Sequence, residues 1–429
     1  MYNQTNTILK NFKNNKIISW IRYQNIIFLI WPFLALIIAI KNYRSPYSKN
    51  IVWLFTSFYG LTMVLVSDEL DGARIISNFK YIAKYESISF FQFFVKEGFT
   101  DIIQPFLLFT VSRFTSDPRI LFGILGLIFG YFFSRNVWLA SELFKNQLNK
   151  NSLLYIFLFS IIIPIWEING FRMWTAAHVL FYGISRYLFT GNKKYYFFIF
   201  LTPFIHFSFI FSVFVFFLFI ALKNVSLNFI FTLFILSVIV NEINIEVSKY
   251  KDYFPEIYQS KIEGYSNKDW IEDMRIMRGE MRWWAKYHKK LLDLFMVISV
   301  IITFFLFKKK PKILDNYSLI SFFKFSILFS SLTHFFSALP IGDSNRYIIV
   351  SNLFLSFSLI IFFGRKIKTI KIPLQLELSV IFIIFYSLVE FRLGLDRIGI
   401  STFIANIFNL WFFDDSKPLI VFIKELFIK

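Results

Sequence analysis

YYFFIFLTPFIHFSFIFSVFVFFLFIAL, residues 195–222, runs for 28 residues without a charged side chain. Its apolar residues are continuous and do not alternate, so it does not read as a strand of a membrane barrel. About 20 apolar residues in a helix cross the hydrocarbon core of a bilayer. Two residues interrupt the run: Pro203, which cannot donate a helical hydrogen bond, and His206. The stretch therefore predicts two short helical halves turning near Thr202–Ser208. Broken helices of this kind occur where backbone lines a cavity.

The same apolar texture recurs on both sides. Runs fall at 25–40, 51–66, 102–113, 119–140, 152–167, 172–190, 227–242, 290–307, 317–338, 346–363 and 373–389, with a short one at 402–413. Of 429 residues 56% are hydrophobic and only 17% charged, Phe alone occurs 62 times, and mean hydropathy is +0.58. The expected fold is all-α: a polytopic integral membrane bundle of about 12 transmembrane helices, with one broken helix and one partial helix, in a single membrane domain over 1–429. The polar, basic first 24 residues lead into 25–40 with no small-residue cleavage site, so that run reads as a retained helix. Cysteine is absent, which excludes disulfides, thiolate nucleophiles and Cys-based metal sites. With four scattered histidines no metal site or cofactor is expected. The formal charge of +19 lies largely in short clusters between apolar runs, where it orients a membrane protein and meets lipid headgroups. Nucleic acid is not an expected partner.

Five basic clusters should be cytoplasmic: Lys41, Arg44 and Lys49; Lys145 and Lys150; Lys193 and Lys194; Lys308–Lys310 with Lys312; and Arg365, Lys366, Lys368 and Lys371. Two cytoplasmic loops must be separated by an even number of crossings, yet three runs lie between the first and second clusters. The 102–113 run spans about 18 Å as a helix, too short for a core of about 30 Å, and is expected as a partial helix on the outer side. Splitting 195–222 restores parity further on and places His206 toward the outer face. This map puts the N-terminus outside despite Lys10, Lys13, Lys16 and Arg22. A surface-lying N-terminal segment, or a different first crossing, would account for that charge.

On the outer side the map gathers Asp68, Glu69, Asp71 and Arg74, then Glu167, Asn169 and Arg172, then His206, Asp343, Arg346, Arg392, Asp396 and Arg397. Arg172 stands in a brief polar break, Asn169-Gly170-Phe171-Arg172-Met173-Trp174, and an arginine beside hydrocarbon is costly unless something anionic needs it. Arginine forks match phosphate oxygens, and helix N-termini at 172 and 346 add partial positive charge. Arg172 and Arg346, with Arg392, thus suit a phosphate or pyrophosphate; as ordinary interfacial arginines they would instead snorkel to headgroups. His206 could act as acid or base near neutral pH, and Asp68 or Asp71 could deprotonate or position a sugar hydroxyl. His178, six residues after Arg172, is a polar candidate for substrate contact or for packing. His288 and His334 read as structural.

The loop 241–289 is expected outside the membrane. It mixes Trp270, Trp283 and Trp284 with Arg275, Arg278 and Arg282 among several tyrosines. Flat aromatic faces beside hydrogen-bonding groups suit sugar rings; an amphipathic helix on the membrane surface would use the same residues.

Three short motifs in order resemble the EpsG-like family of polysaccharide polymerases, relatives of the O-antigen and capsule repeat-unit polymerases. They are Ser67-Asp68-Glu69-Leu70-Asp71-Gly72 with following Tyr81 and Tyr85; Asn169 through Ala177 around Arg172; and Phe204-Ile205-His206-Phe207-Ser208. Arg346 heads a late helix as the family's late arginine does. Met173 stands where the family usually has Gln. The resemblance implies a bacterial cytoplasmic (inner) membrane protein whose site faces outward. Its substrate would be a lipid-diphosphate-linked oligosaccharide, and its partners a flippase and a chain-length regulator of the same exopolysaccharide pathway. A growing chain would be transferred from its lipid diphosphate to the next lipid-linked unit. Arg172 and Arg346 would hold the leaving diphosphate, and Asp68, Asp71 or His206 would orient or deprotonate the acceptor hydroxyl. A flippase or transporter of the same lipid-linked sugars is the first alternative, since broken helices also serve alternating access. A glycan ligase or membrane acyltransferase is the second; the latter would want a helix-embedded His or a His–Asp pair.

Overall fold

The computed structural model describes residues 23–64, 71–85, 87–96, 101–144, 148, 150–241, 282–309, 317–337, 344–363, 379–413 and 417–427. Asp68, Arg275, Arg278 and Asp343, and most of the 241–289 loop, lie outside these residues. In chain order the helices are α1 (Pro32–Lys41), α2 (Ser48–Leu61), α3 (Asp71–Lys84), α4 (Phe90–Lys96), α5 (Ile103–Ser112), α6 (Pro118–Phe144), α7 (Lys150–Ile162) and α8 (Phe171–Thr190). They continue with α9 (Tyr196–Ile205), α10 (Ile210–Ala221), α11 (Leu227–Val240), α12 (Trp283–Lys309), α13 (Tyr317–Ser337), α14 (Ser344–Phe363), α15 (Ser379–Gly394), α16 (Ser401–Ile404) and α17 (Leu419–Phe427).

The protein is all-α and membrane-associated. Among the described residues five helical stretches are long and apolar enough to cross a membrane: Pro118–Phe144, Ser152–Thr190, Trp283–Lys309, Ser318–Ser337 and Arg346–Phe363. Shorter apolar helices lie at Pro32–Lys41, Ile103–Ser112, Phe207–Ala221 and Leu227–Val240. The ten residues of α5 rise about 15 Å, half a hydrocarbon core.

The chain forms two compact units. The first takes Met1–Leu143, Ile165–His178 and Gly394–Lys429; the second takes Phe144–Pro164 and Val179–Leu393. In the first, α2 and α6 meet at backbone distance. A Cβ on Gly60 would collide with the Phe122 carbonyl, and one on Gly126 would sit 2.5 Å from the Thr56 carbonyl. Small residues permit this approach, which in a membrane gains by dispersion and hydrogen bonding what water exclusion cannot supply. Ser57 Oγ and Trp53 Nε1 then reach the carbonyls of Gly123 and Leu127, both at 2.8 Å. Near one end of the pair Arg135 donates to Asn50 Oδ1 at 2.8 Å with its guanidinium over Tyr131 and Trp53. At the other, Asp117 precedes Pro118 at the start of α6 and accepts from the backbone N–H of Arg119 at 2.9 Å.

α3 belongs to no apolar run. Its buried residues Gly72, Ile75, Phe79 and Ile82 form a one-sided stripe while Arg74, Lys80 and Lys84 are exposed, the pattern of an amphipathic helix that docks along one face. It packs on α5 and on a 3-10 turn at Ile165–Gly170, the segment that leads into α8.

In the second unit α14 is the central helix and packs against α7, α12 and α13. Its hydroxyls turn back on their own helix: Ser351, Ser356 and Ser358 donate to the carbonyls of Ile348, Leu353 and Phe354. Polar side chains satisfied this way can be buried without cost in unmet hydrogen bonds. A cluster of rings from Phe159, Phe181, Phe322, Phe354 and Phe357 fills the surrounding space, with centroids 4.9–6.1 Å apart.

Candidate functional site

The residue types singled out above fall into two constellations, one in each unit. The first begins where α3 starts. The backbone N–H of Gly72, an orphan donor in the first turn of α3, is taken by Asn169 Oδ1 at 2.9 Å. Asn169 is buried, and the turn it belongs to continues through Gly170 into α8. Gly170 has no room for a side chain: a Cβ there would stand 2.8 Å from Trp174 Nε1 and 3.9 Å from Asp71 Oδ2. Asp71, Asn169 and the first turn of α8 therefore lie side by side. Arg74 donates to Asp71 Oδ1 at 3.2 Å on the exposed face of α3.

Arg172, in the first turn of α8, donates Nη1 to Asp101 Oδ2 at 2.7 Å. The pair is asymmetric. The Asp101 side chain is 2% exposed and that of Arg172 is 35% exposed, so the carboxylate is sunk and the guanidinium reaches outward. A carboxylate at that depth needs a cation, and Arg172 supplies it while most of its donor fork stays available. On the other side of the turn Arg397 donates to the Trp166 carbonyl at 3.3 Å and stands 3.4 Å from Glu167. Its own carbonyl accepts from Tyr59 Oη and from the Val64 N–H, tying α2's exit to the same place. Asp101 does not stand out as a site residue in the sequence, and Arg397 does so only as one of the charges gathered on the outer side. Nothing in their local sequence separates them from ordinary interfacial charges.

His178, on the same helix as Arg172, is fully buried, its ring edge-on to Phe129 and Phe133 at 5.0 and 5.4 Å. Asn136 Nδ2 donates to its carbonyl at 2.8 Å. This is a packing environment, with the imidazole deep among aromatic rings.

The second constellation is built on the break in residues 195–222. α9 ends at Ile205, His206 is extended at φ −147° and ψ 113°, and a 3-10 turn at Phe207–Phe209 leads into α10. Pro203 leaves the Ile199 carbonyl without its helical donor, and Thr202 Oγ1 fills that role at 2.7 Å. Tyr347 Oη donates to Ser208 Oγ at 2.6 Å, and Ser208 Oγ lies 2.8 Å from His206 Nδ1. Where the serine hydroxyl donates in turn to Nδ1, a neutral His206 carries its hydrogen on Nε2. In that state the imidazole offers a donor and not a base. Tyr347 is held by Phe209, Phe211 and Phe336, each with its ring centroid 5.6 Å away, and its neighbour Arg346 is half-buried in the first turn of α14. Ser208 is visible in the sequence as part of the His-x-Ser block; Tyr347 is not.

The remaining described candidates are at the start of α12 and on α15. Trp283 is exposed at the start of α12 and stacks on Phe385 at 6.1 Å, with Arg282 exposed and Trp284 half-buried beside it. Arg392 is half-buried in the last turn of α15. Among the described residues no group of three His, Cys, Asp or Glu could hold a metal ion.

No protein-family model, no curated protein and no solved structure matches this chain.

Proposed function

We propose that this chain is a glycosyltransferase of the bacterial cytoplasmic membrane that polymerises lipid-diphosphate-linked glycan units at the outer face. This is the activity implied by its resemblance to EpsG-like polymerases, and it goes with a bundle of about twelve crossings. One observation carries the reading. Arg172 is anchored by a single nitrogen on sunken Asp101 and presents the rest of its guanidinium outward from the first turn of α8. That is a rigid, permanently charged fork beside helical N–H groups, a suitable holder for a diphosphate.

In the proposed reaction the bond between the anomeric carbon and the diphosphate oxygen breaks. A hydroxyl of the next lipid-linked unit forms the new glycosidic bond, and its proton leaves with a nearby carboxylate or with the departing diphosphate. Arg172 stabilises charge gathering on that diphosphate. Asp71, fixed through Gly72 and Asn169, orients the acceptor hydroxyl.

The test is a reaction of the purified protein in lipid nanodiscs with a lipid-diphosphate-linked oligosaccharide, resolved by product length. A ladder of products is expected. Binding of the lipid-linked sugar without a ladder would overturn polymerisation and leave transport or ligation.

A further inference from the structure

Among the ionisable residues of α12, His288 and Asp293 each meet an ionisable partner on another helix. The glycosyl-transfer reading uses neither pair. On α13, His334 is buried, with Nδ1 2.8 Å from the Ser330 carbonyl and Nε2 3.1 Å from Asp293 Oδ2. Ser330 Oγ also lies 3.3 Å from Nδ1, but the carbonyl is the closer neighbour and can only accept, so both oxygens suit a hydrogen on Nδ1. The short approach of Nε2 to a carboxylate oxygen needs a second one between them, either on the ring or on the acid. The pair thus holds one more proton than a neutral imidazole beside a carboxylate.

Asp293 Oδ1 accepts from Asn352 Nδ2 of α14 at 3.3 Å. Turning that amide over would set oxygen against oxygen, so its orientation is determined. Asn352 is 0% exposed, and its Oδ1 has no donor among the described residues. A buried amide oxygen beside a carboxylate marks a place that welcomes a hydrogen-bond donor. Asp293 opens the group: its side chain is 18% exposed against 1% for His334.

The second pair has the same chemistry without the opening. His288 Nδ1 lies 2.7 Å from the Ala285 carbonyl, and Nε2 is 3.2 Å from Glu390 Oε1, off the line of a good hydrogen bond. Those side chains are 5% and 4% exposed. The other charges on helices around Asp293 are committed or at helix ends. Lys324 of α13 donates to the Val225 carbonyl, Arg346 heads α14 and Arg392 closes α15. On α12 itself Lys286 is in the first turn and Lys289 and Lys290 are in the second, with Lys308 and Lys309 at the far end, and α11 has no ionisable residue between Leu227 and Val240.

We propose that Asp293, His334 and Asn352 form a proton-exchanging site. Its ligand is a single proton that passes between the His334–Asp293 pair and water at the exposed edge of Asp293. On release, water takes the proton as hydronium and leaves a neutral imidazole beside a carboxylate; on uptake, hydronium returns it and departs as water. Ionisable groups inside membrane helices are rare and costly unless they carry such a task. The inference is independent of glycosyl transfer.

With only four histidines, the full-length protein in nanodiscs can be labelled with 15N-histidine and each ring assigned from single His→Gln variants. The expected result is that His334 carries hydrogen on both ring nitrogens in the resting protein and gives one up as the pH is raised. Its N–H should exchange with deuterated water while that of His288 persists. Asp293→Asn should leave His334 with one hydrogen. A His334 that neither titrates nor exchanges faster than His288 would make the group a closed structural pair and overturn the proposal. The titration and exchange are read on the unmodified chain, so they decide the matter even if Asp293→Asn fails to fold.

Discussion

Arg172 Nη1 lies 2.7 Å from Asp101 Oδ2, and of the two side chains only the arginine reaches the surface. The arginine assigned to the leaving group is therefore also what keeps a buried carboxylate neutralised. Arg172→Ala should cost about 1.5–3 kcal/mol, since it removes a charge-assisted hydrogen bond from a buried carboxylate. The double variant Arg172→Gln with Asp101→Asn should recover most of that loss in thermal unfolding. Its activity then separates the roles. Under the proposed reaction the folded double variant makes no polymer while single lipid-linked units accumulate. Normal chain length in that variant would end the leaving-group assignment.

Gly60→Ala and Gly126→Ala should each lower stability by about 1–3 kcal/mol, because the added methyl meets a backbone carbonyl that cannot step aside. Gly123→Ala meets only the end of the Leu61 side chain and should be milder. Detergent-solubilised thermal melts give the order. Equal melting temperatures for all three would mean that α2 and α6 are not in backbone contact.

Ser208→Ala removes the link between Tyr347 and His206 Nδ1. The expected cost in folding is about 1 kcal/mol, that of one hydrogen bond. The sharper readout is the 15N spectrum of His206, which should pass from hydrogen on Nε2 to a mixture of tautomers. An unchanged spectrum would show that Ser208 does not set the His206 tautomer.

Asp117 sits at the head of α6. Burial pushes its carboxyl upward, but the hydrogen bonds from the Arg119 side chain and backbone outweigh that, and the net effect is a value below the ordinary one. A lowered folded value means that the group contributes stability above its unfolded value, near pH 3.9, and loses it as pH falls through the folded value. Asp117→Asn should therefore melt lower than the parent at pH 7, and the gap should close below about pH 4. A gap that persists undiminished at pH 3 would show that the side chain acts only as a neutral cap.

Much of this architecture is legible in the chain because its signals are local. Pro203 marks the break, and the run 102–113 is too short to span, as the ten residues of α5 are. The start of α3 at Asp71 and Gly72 does lie against Asn169 and Gly170, two segments that the sequence reading groups together. α3 is invisible to a reading of apolar runs, because a basic residue recurs along its exposed face every few positions. Trp31, just before Pro32, also divides a run that reads as one helix, and its indole donates to the Phe403 carbonyl. Partnerships are the least legible part. Asp101 finds Arg172 seventy-one positions away, and Asp293 finds His334 across forty-one. His288 and His334, which read as structural from their surroundings in sequence, each face a carboxylate supplied by another helix. Such pairings depend on helix rotation and depth, which no single run of residues encodes.

α14 inverts the usual relation between composition and depth. It carries Ser351, Asn352, Ser356 and Ser358 and is almost wholly buried, whereas α12 is less than half buried across its apolar window. A saturation scan of the second unit should therefore show two kinds of tolerance. At these α14 serines size would be policed and polarity forgiven, since each hydroxyl answers mainly to its own helix. Along the outward side of α12, volume would be free and charge forbidden.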